Sequence, residues 1–117
     1  MPHPTYKDHP LWKEAIALVG EAYALAEKAR EAAPLVSRHL RRAAVNVPAS
    51  IAETLTEESE DRRSESHLRA RGALAEIERQ TALLPEELSE PAEQLAGRAR
   101  KLFWKMGRTA GRKSMRT

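Results

Sequence analysis

Leu40, Ala44, Val47, Ile51 and Leu55 recur every three or four residues, so one helical seam runs through the segment LRRAAVNVPASIAET (positions 40–54) and just past it. Pro48 stands inside that helix with no backbone N–H to give. It removes the bond to the carbonyl of residue 44 and crowds the preceding turn, bending a helix at a cost of roughly 3 kcal/mol. Asn46 and Ser50 flank the proline and offer polar groups to the freed backbone. Away from the seam, Arg38, Arg41 and Arg42 give way to Val45, Pro48, Ala49 and Ala52. The first half of the helix is therefore amphipathic and the second is apolar nearly all round, which calls for burial by more than one neighbour.

The rest of the chain reads as three more helices. The first begins near His9 or Pro10, with proline suited to a first turn. It carries the stripe Leu11, Ala15, Leu18, Ala22, Leu25 and Ala29, and beside it a second stripe of Trp12, Ile16, Val19, Tyr23 and Ala26. It should stop near Ala33, because Pro34 disfavours helical geometry in the residue before it. The second helix spans about 35–58. A polar connection at 56–64, with Ser59 or Asp61 as cap, leads to a third helix over about 61–84 with the seam His67, Ala70, Leu74, Ile77, Thr81 and Leu84. Ser89 is the expected N-cap of the fourth, whose seam is Ala92, Leu95, Ala99, Leu102 and Met106 and whose end is Gly107. Four amphipathic helices with short links predict an all-α, antiparallel up-down four-helix bundle. The expected organisation is an arm at 1–8, the bundle at 9–107 and a basic tail at 108–117.

Composition narrows the function. With no cysteine among 117 residues, disulfides and thiolate metal sites are excluded, which fits a reducing cytoplasm. Apolar runs are only a few residues long, too short to span a bilayer, and the opening MPHPTYKDHP lacks the features of a secretion signal. No Glu-x-x-His pair suits a di-iron bundle, and His67 on its seam reads as a hydrogen-bonded helix-end histidine. No nucleophile–base spacing or paired core carboxylates stand out. Neither an enzyme nor a metal or organic cofactor is expected.

Charge is unevenly placed. Residues 91–117 hold eight Lys/Arg against Glu93 alone, a net +7, whereas the preceding ninety hold twelve against sixteen acidic residues, a net −4. At about 100° per residue, Arg98, Lys101, Lys105 and Arg108 fall within an arc of about 80° on the fourth helix. Closely spaced cations on one rigid face suit a phosphate backbone, although a solvated helix face has the same pattern. Arg100, Arg112 and Lys113 extend the charge. Trp104 lies among the cations, where it can stack on a base or dock on a neighbouring subunit. The first two helices carry more apolar surface than one bundle absorbs. The surplus, Trp12, Ile16, Tyr23, Val45, Pro48, Ala49 and Ala52, is assigned to a subunit interface. Arg41 and Arg42 belong there as partners for a carboxylate such as Glu53, which would need a cation if buried.

LRRAAVNVPASIAE, preceded by HPLWKEAIAL and followed by LRARGALAEIERQ, resembles the four-helix-bundle proteins encoded in intervening sequences of bacterial 23S ribosomal RNA genes. Leu11-Trp12 and Ala15 match that family's L-x-V-W-x-x-A opening. Leu40 to Glu53 match its L-R-R-A-A-x-S-I-P-x-N-I-A-E-G segment, and Ala70, Ala73, Leu74, Glu76, Ile77 and Glu78 match a third motif, A-x-x-S-L-x-E-L-E. Asn46 and Ser50 exchange the family's Ser and Asn, Thr54 replaces its Gly, and Ala73 replaces its Ser. The resemblance implies a homo-oligomer, a pentameric ring, without enzymatic activity. It also points to the related accessory variability determinant (Avd) proteins of diversity-generating retroelements, which work beside a reverse transcriptase and bind nucleic acid through a basic surface. The functional expectation is a non-catalytic, cytoplasmic, homo-oligomeric scaffold that binds nucleic acid, with structured RNA preferred, through its basic C-terminal end. An Avd-like subunit bound to a reverse transcriptase and a pure assembly protein are the alternatives.

Overall fold

The computed structural model describes residues 5–110, with side chains through 107, and every regular element among them is helical. Four α-helices, α1 (Pro10–Ala29), α2 (Pro34–Thr56), α3 (Glu60–Thr81) and α4 (Ser89–Ala110), carry the fold, with 3-10 turns at Tyr6–Asp8 and Glu86–Leu88. Each helix packs on the next, and α1 meets α4 to close the circuit; α2–α3 is the tightest pairing and α1–α4 the loosest of these four.

The core follows the predicted seams. Leu11, Ala15, Leu18, Ala22 and Leu25 of α1 meet Leu40, Ala44, Val47, Ile51 and Leu55 of α2, Ala70, Leu74 and Ile77 of α3, and Leu95, Ala99, Leu102 and Met106 of α4 in one buried cluster. Many of these side chains are alanines, so the helices approach closely and polar groups are caught between them. Ser37 is fully buried; its hydroxyl donates to the Ala26 carbonyl at 2.7 Å and accepts from Arg41 Nη1 at 3.3 Å. That bond ties the start of α2 to the end of α1.

The boundaries depart from expectation where local bonding outweighs periodicity. Pro34 does push Ala33 out of helical geometry (φ −145°, ψ 68°), but α1 ends earlier, at Ala29, and residues 30–32 form a turn closed by Ala33 N–H to Ala29 O at 2.8 Å. The expected arm at 1–8 is structured from Thr5 on. Thr5 and Asp8 form a reciprocal capping box, and Tyr6 meets Trp12 edge to face with ring centroids 5.6 Å apart. His9 caps α1, its Nδ1 accepting from Leu11 N–H at 3.1 Å, and Pro10 takes the first position.

Ser59 caps α3 as expected, accepting from Arg62 N–H at 3.3 Å. Ser89 does not cap α4: it is already helical (φ −61°, ψ −37°), because the 3-10 turn at Glu86–Leu88 feeds straight into the helix. Gly107 does not end α4 either. No described glycine has the positive φ of a helix-terminating glycine, and a Cβ at Gly107 would meet Arg71 Nη2 at 3.5 Å, an ordinary van der Waals distance, so neither backbone nor packing requires glycine there. α2 is continuous through Pro48. Asn46 is exposed, and on the proline's C-terminal side Thr54 Oγ1 donates to the Ser50 carbonyl at 2.8 Å.

Candidate nucleic-acid interface

Burial of Leu95, Ala99, Leu102 and Met106 orients α4 and sorts its cations onto separate flanks. Arg98 and Lys105, seven residues apart, reach α1: Arg98 Nε lies 2.6 Å from Glu21 Oε1, and Lys105 Nζ lies 2.8 and 3.0 Å from the two oxygens of Glu14. Arg100 turns the other way and grips Glu78 of α3 through Nε and Nη2, at 3.2 and 3.0 Å. Lys101 and Trp104 point outward between these flanks; Trp104 is 60% exposed and meets Phe103 edge to face at 5.7 Å. Arg71 of α3 covers the other part of this aromatic pair, its guanidinium 4.0 Å from the Phe103 ring centroid.

The predicted single basic stripe is therefore a laced one. Two of its cations, Arg98 and Lys105, hold carboxylates of α1, and Arg100 beside the stripe holds one of α3. Because these pairs are substantially exposed, each stabilises the fold by only about 0.2–1 kcal/mol. Phosphate oxygens can compete with bonds of that strength. Arg112, Lys113 and the Arg108 side chain lie outside the described residues. The carboxylate partners were missing from the sequence reading. A signal for them existed: Glu14 and Glu21 stand seven apart on α1, as Arg98 and Lys105 do on α4, so two helices in contact can match both pairs at once.

Between α1 and α4 lies an open cleft of about 1200 Å³, walled by Glu14, Glu21, Ala24, Lys28, Gly97, Arg98, Lys101, Trp104 and Lys105, among others. Small residues at Ala24 and Gly97 leave its floor open, consistent with the loose α1–α4 pairing.

The candidate interface residues occupy the opposite flank of α1. Ile16 and Tyr23 are each 43% exposed, as is Val45 of α2. Ala49 is exposed, while Trp12, Pro48 and Ala52 are half-buried. Within one chain the charged members of this set do not meet one another. Glu53 is exposed and pairs with Arg69 of α3 at 3.1 Å, not with Arg38, Arg41 or Arg42. It lies on the α3 side of α2, whereas Arg41 turns inward to Ser37 and Arg42 is exposed.

His67 also differs from its expected role. It sits within α3, buried, and its Nε2 has no hydrogen-bond partner. Burial, and then the positive charge of Arg71, hold it below the ordinary value of 6.5. The unfolded chain takes up this proton near pH 6.5 while the native state resists it, so stability conferred by neutral His67 is present above that value and lost as pH falls below it. Urea titrations of wild type and His67→Leu should diverge as the pH falls below about 6.5, with the wild type losing more stability. Parallel curves would remove His67 as the cause of acid sensitivity.

The family model for the 23S rRNA-intervening sequence protein matches residues 7–96. The chain belongs to this family. Curated proteins and solved structures gave no significant match. The family segment covers α1, α2, α3 and the opening turns of α4, and it stops before Arg98. Glu14, Glu21 and Glu78 thus lie within the segment matched to the 23S rRNA-intervening sequence protein family, and Arg98, Arg100, Trp104 and Lys105 lie beyond it. Among the described residues, no helix is long and apolar enough to cross a membrane, and no three His, Asp or Glu side chains gather to hold a metal ion.

Proposed function

We propose that this member of the 23S rRNA-intervening sequence protein family is a non-catalytic, cytoplasmic, homo-oligomeric scaffold that binds RNA along the outer face of α4. The observation that carries the reading is the placement of Lys101 and a 60% exposed Trp104 between Arg98 and Lys105 on one flank and Arg100 on the other. Cations supply sequence-independent affinity for the backbone, and the aromatic face supplies stacking for an unpaired base. The family's name associates it with ribosomal RNA genes, in keeping with an RNA ligand. The test compares the intact protein with a version ending at Gly107, on a structured RNA and on duplex DNA at two salt concentrations. Binding to the RNA should be tight, salt-sensitive and weaker without the tail; absence of binding at low salt refutes the reading.

The scaffold we propose is an antiparallel up-down bundle, supported by Glu14 meeting Lys105 while Glu21 meets Arg98. Five copies form a ring through the flank bearing Ile16, Tyr23 and Val45, whose exposed apolar surface calls for cover. That flank lies roughly 160° around α1 from Glu14, so ring closure leaves the α1–α4 cleft open. Pro48 bends α2 to serve both bundle and ring. Pro48→Ala should therefore change the assembly mass in analytical ultracentrifugation, or its resistance to dilution; an identical assembly of identical stability counts against the bend. Because the basic end lies beyond the family-matched segment, an Avd-like partnership with a reverse transcriptase is the second reading, tested by the presence of a reverse transcriptase gene beside this one.

A further inference from the structure

The three ion pairs of α4 are not equivalent. Arg100 also lines the cleft, but its partner Glu78 stands on α3 outside the cleft lining, whereas Glu14 and Glu21 line the cleft themselves and hold Lys105 and Arg98. These two carboxylates occupy the positions beside the cations that phosphate oxygens would take. The same cleft exposes Trp104, whose π-face a base can reach only if the base is unpaired and turned out of a helix. Its charged walls exclude an apolar helix as occupant and favour a flexible polyanion.

We infer that the α1–α4 cleft seats an unpaired RNA segment, and that Glu14 and Glu21 form an electrostatic latch which this segment must displace to reach Arg98 and Lys105. The inference rests on the nucleic-acid reading above and extends it by naming the seat, the form of the ligand and the two residues that restrain it. With the latch intact, binding phosphate means breaking two exposed ion pairs and leaving their carboxylates beside the incoming charge. Weak, nonspecific polyanions are thereby disfavoured, while a strand that also stacks on Trp104 offsets the loss. Without the carboxylates, neither cation is held by the α1 wall.

The test uses the full chain and a fluorescein-labelled twelve-nucleotide oligouridine, with a fully paired RNA hairpin as the second probe, at fixed salt. Glu14→Gln and Glu21→Gln are made singly and together. A control, Glu53→Gln with Glu76→Gln, changes net charge equally on the α2–α3 side, where Glu53 pairs with Arg69 and Glu76 with Arg79. The double cleft variant should bind oligouridine about tenfold tighter than wild type, given the strength of two exposed pairs, with each single variant intermediate. The control should shift affinity by no more than about twofold, because distant exposed charges are screened. The gain should be smaller on the hairpin and should shrink in a Trp104→Ala background. Unchanged or weaker oligouridine binding by folded single and double variants overturns the latch while leaving the nucleic-acid reading intact. Equal tightening in the control overturns it too, since net charge would then be the cause. No binding by any variant overturns both.

Discussion

Leu74→Ala should destabilise the fold by about 3 kcal/mol, the effect of removing a large side chain from a site that cannot collapse around the cavity. Leu74 is fully buried in α3, within the common cluster of all four helices. The cluster it belongs to is rich in alanine, which has no flexible side chain to move into the space. The internal comparison is Leu68, on the same helix but 65% exposed, where the same substitution should change stability by less than about 0.5 kcal/mol. Urea denaturation at one fixed protein concentration checks both, since assembly would otherwise shift the midpoint. Similar losses at the two positions would mean that Leu68 is covered in the assembly, and would redirect the search for the subunit interface to α3.

Alanine at Arg98, Lys101 and Lys105 together should weaken RNA binding by about 100-fold near 0.1 M salt and lower the salt-dependence slope by about 2 to 3. The fold should tolerate the change: the ion pairs that Arg98 and Lys105 lose are substantially exposed, and Lys101 is exposed. The slope decides the interpretation. A loss of affinity with an unchanged slope would mean that these side chains position something else, and that the phosphates are met elsewhere.

The two predictions draw on parts of the molecule that differed in legibility. Leu40, Ala44, Val47, Ile51 and Leu55 of α2, and the seam of α4, could be assigned to the core from spacing alone. Burying apolar groups along a helix imposes a period of 3.6 residues, and that period survives in the sequence whatever the neighbouring helices are. Ser59 as cap of α3 and Pro10 as the first residue of α1 were legible for a similar reason, since their roles depend on bonds within a few residues. Ser89 was misread because a capping residue and the exit of a 3-10 turn look alike in sequence; which one forms depends on where the preceding turn is packed. Gly107 does not end α4: a glycine can also lie inside a helix at ordinary φ, and the residue type alone does not distinguish that place from a left-handed terminus.

The candidate site was half legible. Its cations were visible as a charge excess after Pro91, but their pairing was not. Glu14 and Lys105 are separated by 91 positions, and only the α1–α4 contact brings their charges to 2.8 Å. Glu53 shows the same limit: the sequence offers Arg41 and Arg42 as its partners, and within the chain packing brings Arg69 to it instead. By itself the sequence determined the number of helices, the face each one buries and the excess of positive charge at one end, because periodicity and charge are properties of a single strand of residues. Tertiary structure alone decided which carboxylate restrains which cation and that a cleft remains between α1 and α4, because those follow from which helix surfaces meet and how closely small residues let them approach.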